Sequence, residues 1–514
     1  MKRLIVAYDG TWNNPDQEDN GVPTPTNVFK IHNAIADVGA DGVKQLKYYH
    51  PGVGGEQRGL VSAVLGGALG VGISRHIKSG YHWLANNYEE GDEIYLYGFS
   101  RGAFTTRSLG GMLGRGLLDL RNVASKEAWK RVDQAFDKGY RVQSASVEQW
   151  AEDDWAFFND RKTTPIYFVG VWDTVGALGV PDDLELLNIL DDKKAWEFFD
   201  TSLGSNVAHA RHAIAIDEIR ASFTPTLWSN AVDHADAKEV WFPGVHSDVG
   251  GGYADTDLSH GALKWMIEQS HGAGLGIRDG VLDSVASNPL GKMHNSYKGL
   301  FAKMRSRPRN IPAMVAANPQ YHEGAIMRQQ HSPIDYSPYH PTTVLQVGES
   351  VIVDVHADTR WNASNVFLSE SHEFGFSATG EWQDSKDSCD WKGTENNKFT
   401  TGDVVRAMAG FWGKIEDVWS HVTGNRSTDF VMTKRVEHLP WFIMVGAIAN
   451  DGGSDDVVHN DGSPIAHQLV TLPEYDTKPL KVKTAGYLYC FPNDVWSLYG
   501  NNHGSVQLKI TRKR

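Results

Sequence analysis

One serine lies in a sequence context that could make it a nucleophile. Residues 98–102 read Gly-Phe-Ser-Arg-Gly and fit the pattern Gly-x-Ser-x-Gly around Ser100. The pattern follows a short apolar run without a spacer, and a helix is expected to begin at about Arg101. A strand that turns at once into a helix holds such a serine in a tight bend, with its oxygen exposed at the edge of the sheet. We therefore expect Ser100 to be a nucleophile; the alternative is an ordinary strand-to-helix turn.

A serine nucleophile needs a base and an acid, and the chain offers both after predicted strands. A serine hydroxyl is a poor nucleophile unless an imidazole takes its proton and a carboxylate orients that imidazole. Asp173 follows the apolar run 165–172, and His246 lies just beyond the run 239–244. Because the carboxyl ends of parallel strands gather at one edge of a sheet, Ser100, Asp173 and His246 are expected to meet there. Their order along the chain is the one found in hydrolases with this strand-turn-helix motif.

Other residues could take the acid and base roles. Asp248 could replace Asp173 as the acid or bind a metal, and its alternative role is to cap the glycine turn at 250–252. Four histidines compete with His246 for the role of base. Two of them lie in what we predict to be a helix or its approach, where a structural role is expected. The four are His209 and His212, which lie in that helical region, and His234 and His260.

Acyl transfer also needs N–H groups directed at the developing oxyanion. One is expected from Arg101, at the start of the predicted helix, where the helix dipole favours negative charge. The other is expected from the loop after the first strand, from Gly10 or Thr11, since glycine allows a close approach. Asp9, which precedes them, is expected to be a turn or N-cap residue rather than a catalyst.

The segments around these residues alternate between predicted strands and helices. This alternation favours a mostly parallel sheet with helices on both faces. The predicted strands are 3–8, 45–50, 93–98, 165–172 and 239–244, and the predicted helices are about 27–38, 77–89 and 101–115.

Composition excludes several classes of protein. The chain has 514 residues and a net charge of −14, so an overall attraction to nucleic acid is not expected. The apolar segment Leu60 to Ile73 is too short to span a bilayer, and the first ten residues lack the apolar core of a signal peptide. We therefore expect a cytoplasmic protein, or one that is secreted without a cleavable leader.

Cys389 and Cys490 are the only cysteines in the sequence, so at most one disulfide can form.

Four motifs in order carry a resemblance to a known family. The motifs DGTWN, GFSRGA, VWDTVGA and GVHSDVGGGY resemble the α/β-hydrolase domain of bacterial type VI secretion lipase effectors, over about residues 1–345. The resemblance implies phospholipase A or a related ester hydrolysis, with Ser100, Asp173 and His246 as triad and no cofactor for catalysis. It also implies a lipid or other ester substrate, contact with a membrane surface, and a secretion-apparatus or immunity partner.

The last third of the chain has a different pattern. From residue 343 onward, short alternating strands and turns predict an all-β sandwich. Near its end, Asp494 lies close in sequence to the adjacent amides Asn501 and Asn502, and such oxygens suit Ca²⁺. This loop resembles that of calcium-dependent galactose-binding lectins of the PA-IL type, which implies Ca²⁺ on Asp494, the Leu498 carbonyl, Asn501 and Asn502, with a carbohydrate ligand. The alternative is an Asx-rich turn without metal.

These observations predict three regions. Residues 1–300 form an α/β-hydrolase domain, 301–342 form a linker or wrapping segment, and 343–514 form the lectin-like sandwich. Two segments, 60–73 and 184–199, could act as lids over the site, or could be ordinary helices.

The sequence supports three functional hypotheses. The first is a serine carboxylester hydrolase that works through an acyl-enzyme and is directed by a lectin-like domain. The second is a carbohydrate-binding or assembly protein whose hydrolase-like half is not catalytic. The third is a metal-dependent phosphoester hydrolase built on Asp9, Asp248 and His246.

Overall fold

The chain folds into two compact units. The structure is a computed structural model, and the first unit comprises residues 1–297 and 317–339, the second 298–316 and 340–514. The segment 301–342, expected to be a linker, thus divides between the two units. The structure describes residues 1–10, 13, 17–19, 21–52, 68–142, 144–176, 202–299, 301–303, 305–316, 318–384, 387–394, 434–436, 438–452 and 467–514.

A six-stranded parallel sheet forms the centre of the first unit. The order across the sheet is β2-β1-β3-β4-β5-β6, and every neighbouring pair is parallel. All six strands therefore end at the same edge, where loops can bring side chains together. The strands are β1 (Arg3–Tyr8), β2 (Gln45–His50), β3 (Glu93–Phe99), β4 (Ile166–Trp172), β5 (Val207–Ala215) and β6 (Ala237–Phe242).

Helices cover both faces of this sheet. Alternate residues of β1 show this directly: Leu4 and Val6 belong to one buried cluster, and Ile5 and Ala7 belong to another. Both clusters are completed by residues from helices, so the sheet is buried on each side. The helices of this unit are α1 (Asn27–Ala34), α2 (Ala68–Asn87), α3 (Arg101–Leu113), α4 (Ser125–Gln134), α5 (Val147–Trp150), α6 (His246–Gly250), α7 (Asp257–Gly272), α8 (Val281–Ser284) and α9 (Glu323–Gln330).

The structure confirms a parallel sheet with flanking helices and corrects some of its elements. The region of His209 and His212 is strand β5, not a helix, because the polar side chains of this buried strand find partners on neighbouring elements. Helix α1 ends at Ala34 instead of residue 38, since Ile35 is already extended. Helix α2 begins at Ala68, nine residues before the expected start at residue 77.

The two proposed lid segments are described only in part or not at all. Of the segment 60–73, residues 68–73 form the start of α2, and the side chain of Ile73 is buried in the core. Residues 60–67 and the whole of 184–199 lie outside the described residues.

The second unit contains two antiparallel sheets. One has the order β8-β14-β11-β12, and the other has the order β10-β9-β15-β7, with β13 paired to β9. Buried side chains of both sheets, such as Leu488 and Leu508, belong to one hydrophobic cluster. The strands are β7 (Ser350–His356), β8 (Asn362–Leu368), β9 (Glu373–Asp384), β10 (Asp387–Cys389), β11 (Met444–Ala449), β12 (Gln468–Thr471), β13 (Leu480–Lys481), β14 (Gly486–Pro492) and β15 (Asn502–Arg512).

Two further findings concern the cysteines and membrane insertion. Cys389 and Cys490 do not form a disulfide, and burial raises the pKa of Cys490 well above its usual value. Within the described residues, no helix combines the length and the apolar character needed to cross a bilayer.

Candidate active site

Ser100 lies in a strained turn between β3 and α3. Its backbone has φ 59° and ψ −127°, a conformation that is rare for a residue with a side chain. A Cβ on Gly102 would overlap the carbonyl oxygens of Tyr8 and Asp9, and a Cβ on Gly98 would overlap the backbone of Gly102. The two glycines of the motif are therefore required by the close contact between β1, β3 and the first turn of α3.

Asp173 and His246 form a buried hydrogen-bonded pair. The Nδ1 atom of His246 lies 2.5 Å from Oδ2 of Asp173, and the two residues are 4% and 0% exposed. The other carboxylate oxygen of Asp173 accepts the N–H of Ala215 at 2.9 Å, and the backbone N–H of Asp173 donates to the carbonyl of Ala213 at 2.7 Å. Strand β5 thus fixes both the backbone and the carboxylate of Asp173 at the end of β4.

The ring of His246 packs beside the serine turn. Its centroid lies 4.5 Å from the ring of Phe99, the residue that precedes Ser100, and 4.9 Å from the ring of Phe223. The absence of a side chain at Gly250 allows α6 to lie directly against Phe99, because a Cβ there would overlap that ring. The structure therefore places Ser100, Asp173 and His246 at the same edge of the sheet.

The environment of His246 affects its protonation. Burial lowers the pKa of the imidazole, while the hydrogen bond and the charge of Asp173 act in the opposite direction. A carboxylate only accepts hydrogen bonds, so the proton of the neutral ring is on Nδ1 and its Nε2 is left as a base.

The loop after β1 lies close to Ser100. An ideal Cβ on Gly10 would be 3.3 Å from Cβ of Ser100 and 3.1 Å from the ring of Phe99. The N–H of Gly10, however, donates to Oδ1 of Asp9 at 2.7 Å, so in this structure it is not directed at an oxyanion. Thr11 lies outside the described residues. Arg101 is the first residue of α3, where backbone N–H groups point out of the helix.

The rival histidines bind other partners. His212 accepts the N–H of Thr174 at 3.1 Å and lies 3.1 Å from Glu239, and His209 lies 2.5 Å from Asp236. The remaining two each have a ring nitrogen within hydrogen-bond distance of a backbone carbonyl: these are His234 with Val207 and His260 with Ala286.

Asp248, the alternative candidate for the acid, pairs with His294. Its carboxylate lies 2.6 Å from Nδ1 of His294, and it accepts the N–H groups of Val245 and His294. Asp9 is satisfied by a separate set of donors. Among the described residues, no group of three His, Cys, Asp or Glu side chains could hold a metal ion.

Sequence analysis did not identify the residues that form hydrogen bonds with the backbone of His246 and with the segment around it. Glu218 accepts the N–H of His246 at 3.3 Å and the hydroxyl of Ser296 at 2.9 Å, and Arg220 donates to both of its oxygens. His294 contacts Asp248 from the same segment as Ser296. Glu218 lies 28 positions before His246 and 78 before Ser296, and His294 lies 46 positions after Asp248. No local pattern in the sequence marks these contacts.

The predicted calcium residues in the second unit lie partly together. Nδ2 of Asn502 donates to Oδ2 of Asp494 at 2.9 Å, and both side chains are buried. Oδ1 of Asn502 is also buried and has no hydrogen-bond partner within the described part of the chain. Asn501 donates its N–H to the carbonyl of Leu498 at 3.2 Å, so all four residues belong to one turn.

Parts of the chain are similar to known proteins. The family model described as type VI secretion system (T6SS), phospholipase effector Tle1-like, catalytic domain, matches residues 2–269, which include Ser100, Asp173 and His246. The uncharacterized protein YEL023C of Saccharomyces cerevisiae is 29% identical over 240 residues, which is 43% of this chain. The matched region spans 32%, about a third, of that relative's length.

Two solved structures are also similar to parts of the chain. One, an uncharacterized protein from Pseudomonas aeruginosa, has 16% identity and a TM-score of 0.31, and the match covers 69% of each chain. The other is the Tle1 effector bound to the VgrG spike of the type VI secretion system. It has 17% identity and a TM-score of 0.28, and the match covers 49% of this chain and 51% of the other.

Proposed function

Because the chain belongs to the family of Tle1-like phospholipase effectors of the type VI secretion system, we propose that it is a serine hydrolase of phospholipid esters, of the phospholipase A type. The observation that carries the proposal is the buried pair of Asp173 and His246 next to the strained turn of Ser100. In this reading the first unit is an α/β-hydrolase domain, and the loops at the carboxyl edge of its sheet form the active site.

Acylation begins with the hydroxyl of Ser100. Its oxygen attacks the carbonyl carbon of the acyl ester while Nε2 of His246 takes the proton. Asp173 stabilises the resulting imidazolium through the hydrogen bond at Nδ1. Collapse of the tetrahedral intermediate breaks the ester bond, and the proton on His246 passes to the departing lysophospholipid oxygen.

Deacylation repeats these steps with water. His246 takes a proton from water, whose oxygen attacks the acyl-serine, and the proton then returns to Ser100 as the fatty acid leaves. The lowered pKa of His246 keeps the ring neutral at neutral pH, as a general base requires.

The oxyanion of each intermediate needs two N–H donors. We assign one to Arg101, at the N-terminus of α3, where the helix dipole adds to the stabilisation. The other comes from the loop after β1. Since Gly10 donates to Asp9, Thr11 is the next candidate in that loop.

The test is hydrolysis of phospholipid vesicles by the wild-type protein and by Ser100→Ala. The matched control is Ser108→Ala, which removes a hydroxyl on the same helix that bonds to the carbonyl of Phe104. We expect fatty acid and lysophospholipid from the wild type and from the control, and a loss of roughly 10⁴-fold or more in Ser100→Ala. Full activity in a folded Ser100→Ala protein would overturn the proposal.

The same assay separates the two rival functions. Release of phosphorylated headgroup that is abolished by chelators and retained in Ser100→Ala would favour the metal-dependent phosphoester hydrolase. No hydrolysis by any folded variant, on vesicles or on p-nitrophenyl esters, would favour a binding or assembly protein.

A second proposal concerns the second unit, which we take to be a sandwich that binds carbohydrate through Ca²⁺. It is supported by the buried Oδ1 of Asn502, which finds no hydrogen-bond donor among the described residues and belongs to the amide that contacts the Asp494 carboxylate. With Asn501 and the Leu498 carbonyl, these hard oxygens fit the ligands that Ca²⁺ prefers. The ion, when bound, would coordinate sugar hydroxyls.

Calcium binding can be tested without any activity assay. Adding Ca²⁺ to chelator-treated protein should raise its thermal midpoint, and Asp494→Asn should abolish the rise. The exposed Asp476 offers a control, since Asp476→Asn should leave the rise intact. A flat response in the wild type would remove the calcium proposal.

Family membership also supports a route of delivery. We propose that the protein leaves the producing cell through a type VI secretion apparatus, that a spike component of it is its partner, and that an immunity protein protects the producer. Pull-down of spike components with the Ser100→Ala protein tests the partner. Failure to recover any of them under conditions where the protein is secreted would contradict the proposal.

A further inference from the structure

We infer that the ionised carboxylate of Asp9 is a positioning residue, which holds the loop after β1 against Ser100 for catalysis. The inference rests on the proposed function and assigns to Asp9 a role that residue type and sequence position did not suggest. The loop after β1 is the one to which we assign an oxyanion donor, so its position matters for catalysis.

Three hydrogen bonds converge on the Asp9 carboxylate. Oδ1 accepts the N–H of Gly10 at 2.7 Å, and Oδ2 accepts the hydroxyls of Thr26 and Tyr49, each at 2.7 Å. The residue is 3% exposed. Three donors aimed at one buried carboxylate match its ionised form, because the protonated acid would lose at least one of these acceptor positions.

The backbone of Asp9 packs on the serine turn. The carbonyl of Asp9 occupies the space that a side chain at position 102 would need, and Gly10 lies beside Cβ of Ser100. Movement of Asp9 would therefore move the loop relative to the nucleophile. In a preorganised site, a displacement of about 1 Å can cost roughly 10²-fold in rate.

The same carboxylate is connected to the loop of His246. Thr26 is the N-cap of α1, and it forms an isolated antiparallel bridge with Gly251, the residue after α6. The side chain of Asn27 donates to the carbonyl of Val249 within α6 at 2.8 Å. Through Thr26, the carboxylate of Asp9 therefore connects the loop after β1 to α6, the helix that carries His246.

Burial raises the pKa of Asp9 to about 6, and the hydrogen bonds from Tyr49, Thr26 and Gly10 oppose this rise. The surrounding elements carry further titratable or charged groups: Lys47 and His50 on β2, Lys30 and His32 on α1, Arg101 and Arg107 on α3, and His246 and Asp248 on α6. Of these, His32 packs on the ring of Tyr49 at 5.5 Å. Protonation of Asp9 should thus fall within the acid limb of the pH–rate profile, together with that of His246.

The experiment compares pH profiles of kcat/KM on a soluble ester for three variants. Asp9→Asn should lower kcat by roughly 10- to 100-fold, with a smaller change in KM, and should shift the acid limb to lower pH because the titrating carboxylate is gone. Tyr49→Phe removes one hydrogen bond to the ionised form, so the acid limb should move up by about half a unit to one unit. Thr26→Val should act in the same direction.

Two controls match these changes elsewhere in the first unit. Asp92, at the opposite edge of the sheet, is also buried and accepts the N–H groups of Lys2 and Glu89. Tyr97 donates its buried hydroxyl to Ser270. Asp92→Asn and Tyr97→Phe should leave the shape of the pH profile unchanged.

The outcomes separate this inference from the proposed function. Acid limbs of Asp9→Asn and Tyr49→Phe that coincide with that of the wild type would overturn the role of Asp9, even if Ser100→Ala is inactive. Full activity of Ser100→Ala would instead defeat the proposed function. If Asp9→Asn fails to fold, the shift in Tyr49→Phe still decides.

Discussion

Nδ1 of His246 lies 2.5 Å from Oδ2 of Asp173, and β5 supplies the N–H that holds the other oxygen of that carboxylate. The same distance separates His209 from Asp236, yet those two side chains are about one-third exposed. Distance alone therefore does not distinguish the two pairs. Only the buried pair lies at the edge of the sheet where Ser100 turns into α3.

The first prediction follows from this contrast. Asp173→Asn should lower kcat by roughly 10³- to 10⁴-fold, because an amide cannot hold the same ring tautomer or stabilise the imidazolium. Asp236→Asn should leave kcat within a factor of about two, since it changes an ion pair remote from the serine turn. Ester hydrolysis at saturating substrate measures both. Equal losses in the two variants would contradict the assignment of Asp173.

The second prediction concerns the glycines of the serine turn. In Gly102→Ala the added methyl group would overlap the backbone oxygens of Tyr8, the last residue of β1, and of Asp9, which cannot move without displacing the strand and the loop after it. We expect unfolding free energy to fall by about 1–3 kcal/mol or more. Gly261, inside α7, has open space around its missing side chain, so Gly261→Ala should raise stability by up to about 1 kcal/mol. Urea unfolding of both variants checks the difference, and a stable Gly102→Ala protein would refute the packing argument.

How far the sequence predicts this site depends on the range of each interaction. The turn of Ser100 is encoded within five residues, and the burial of β3 and the helix start both follow from local pattern. Asp173 and His246 are predicted as partners of Ser100 because each follows an apolar strand, and parallel strands end at the same edge of the sheet. Strand β5, in contrast, contains polar residues whose partners, such as Asp236, lie far along the chain, so its pattern resembles that of a helix.

The same limit explains why the sequence does not reveal the role that we infer for Asp9. Its carboxylate binds a neighbour in sequence, Gly10, but its other donors come from residues 26 and 49 on separate elements. A turn residue and a buried positioning carboxylate look identical in the sequence. Only the three-dimensional contacts distinguish them, and the same is true of Glu218 behind His246.

The third prediction concerns the support of the His246 loop. Asp248 accepts the N–H groups of Val245 and His294 and contacts the ring of His294, which stacks on Tyr253 at 3.9 Å. Asp248→Ala should lower stability by about 1–3 kcal/mol, because buried donors lose their acceptor, and should lower kcat by roughly tenfold through displacement of α6. Thermal unfolding and ester hydrolysis measure the two effects.

A nearby surface carboxylate provides the control for this prediction. Asp255 is half exposed and lies 2.7 Å from Lys292 and 3.5 Å from Nε2 of His294. Asp255→Asn removes this exposed charge and keeps the buried hydrogen bonds of Asp248, so the unfolding midpoint and kcat should be nearly unchanged. If Asp255→Asn were as damaging as Asp248→Ala, the effect would be one of local charge and not of the buried hydrogen bonds.

The fourth prediction concerns stability at acid pH. The ring of His76, on α2, lies 3.8 Å from the ring of His50, and burial, with the charges of His50 and Arg75, lowers the pKa of His76 to about 3. In the unfolded chain the same imidazole takes up a proton below about pH 6.5. Between about pH 6.5 and 3 the unfolded state therefore binds more protons, and stability falls as the pH falls.

Replacing this imidazole should remove that dependence. His76→Phe should reduce the slope of unfolding free energy against pH by up to about 1.4 kcal/mol per pH unit near pH 5. This is the slope expected when the unfolded state binds one more proton than the folded state. At pH 7.5 the imidazole of His76 is unprotonated in both the folded and the unfolded wild type. The difference in unfolding free energy between the variant and the wild type at that pH therefore reports only the change in packing. The exposed His331 serves as control, since His331→Gln should keep the wild-type slope. Urea unfolding at several pH values decides, and an unchanged slope in His76→Phe would show that His76 is protonated in the folded protein at pH 5.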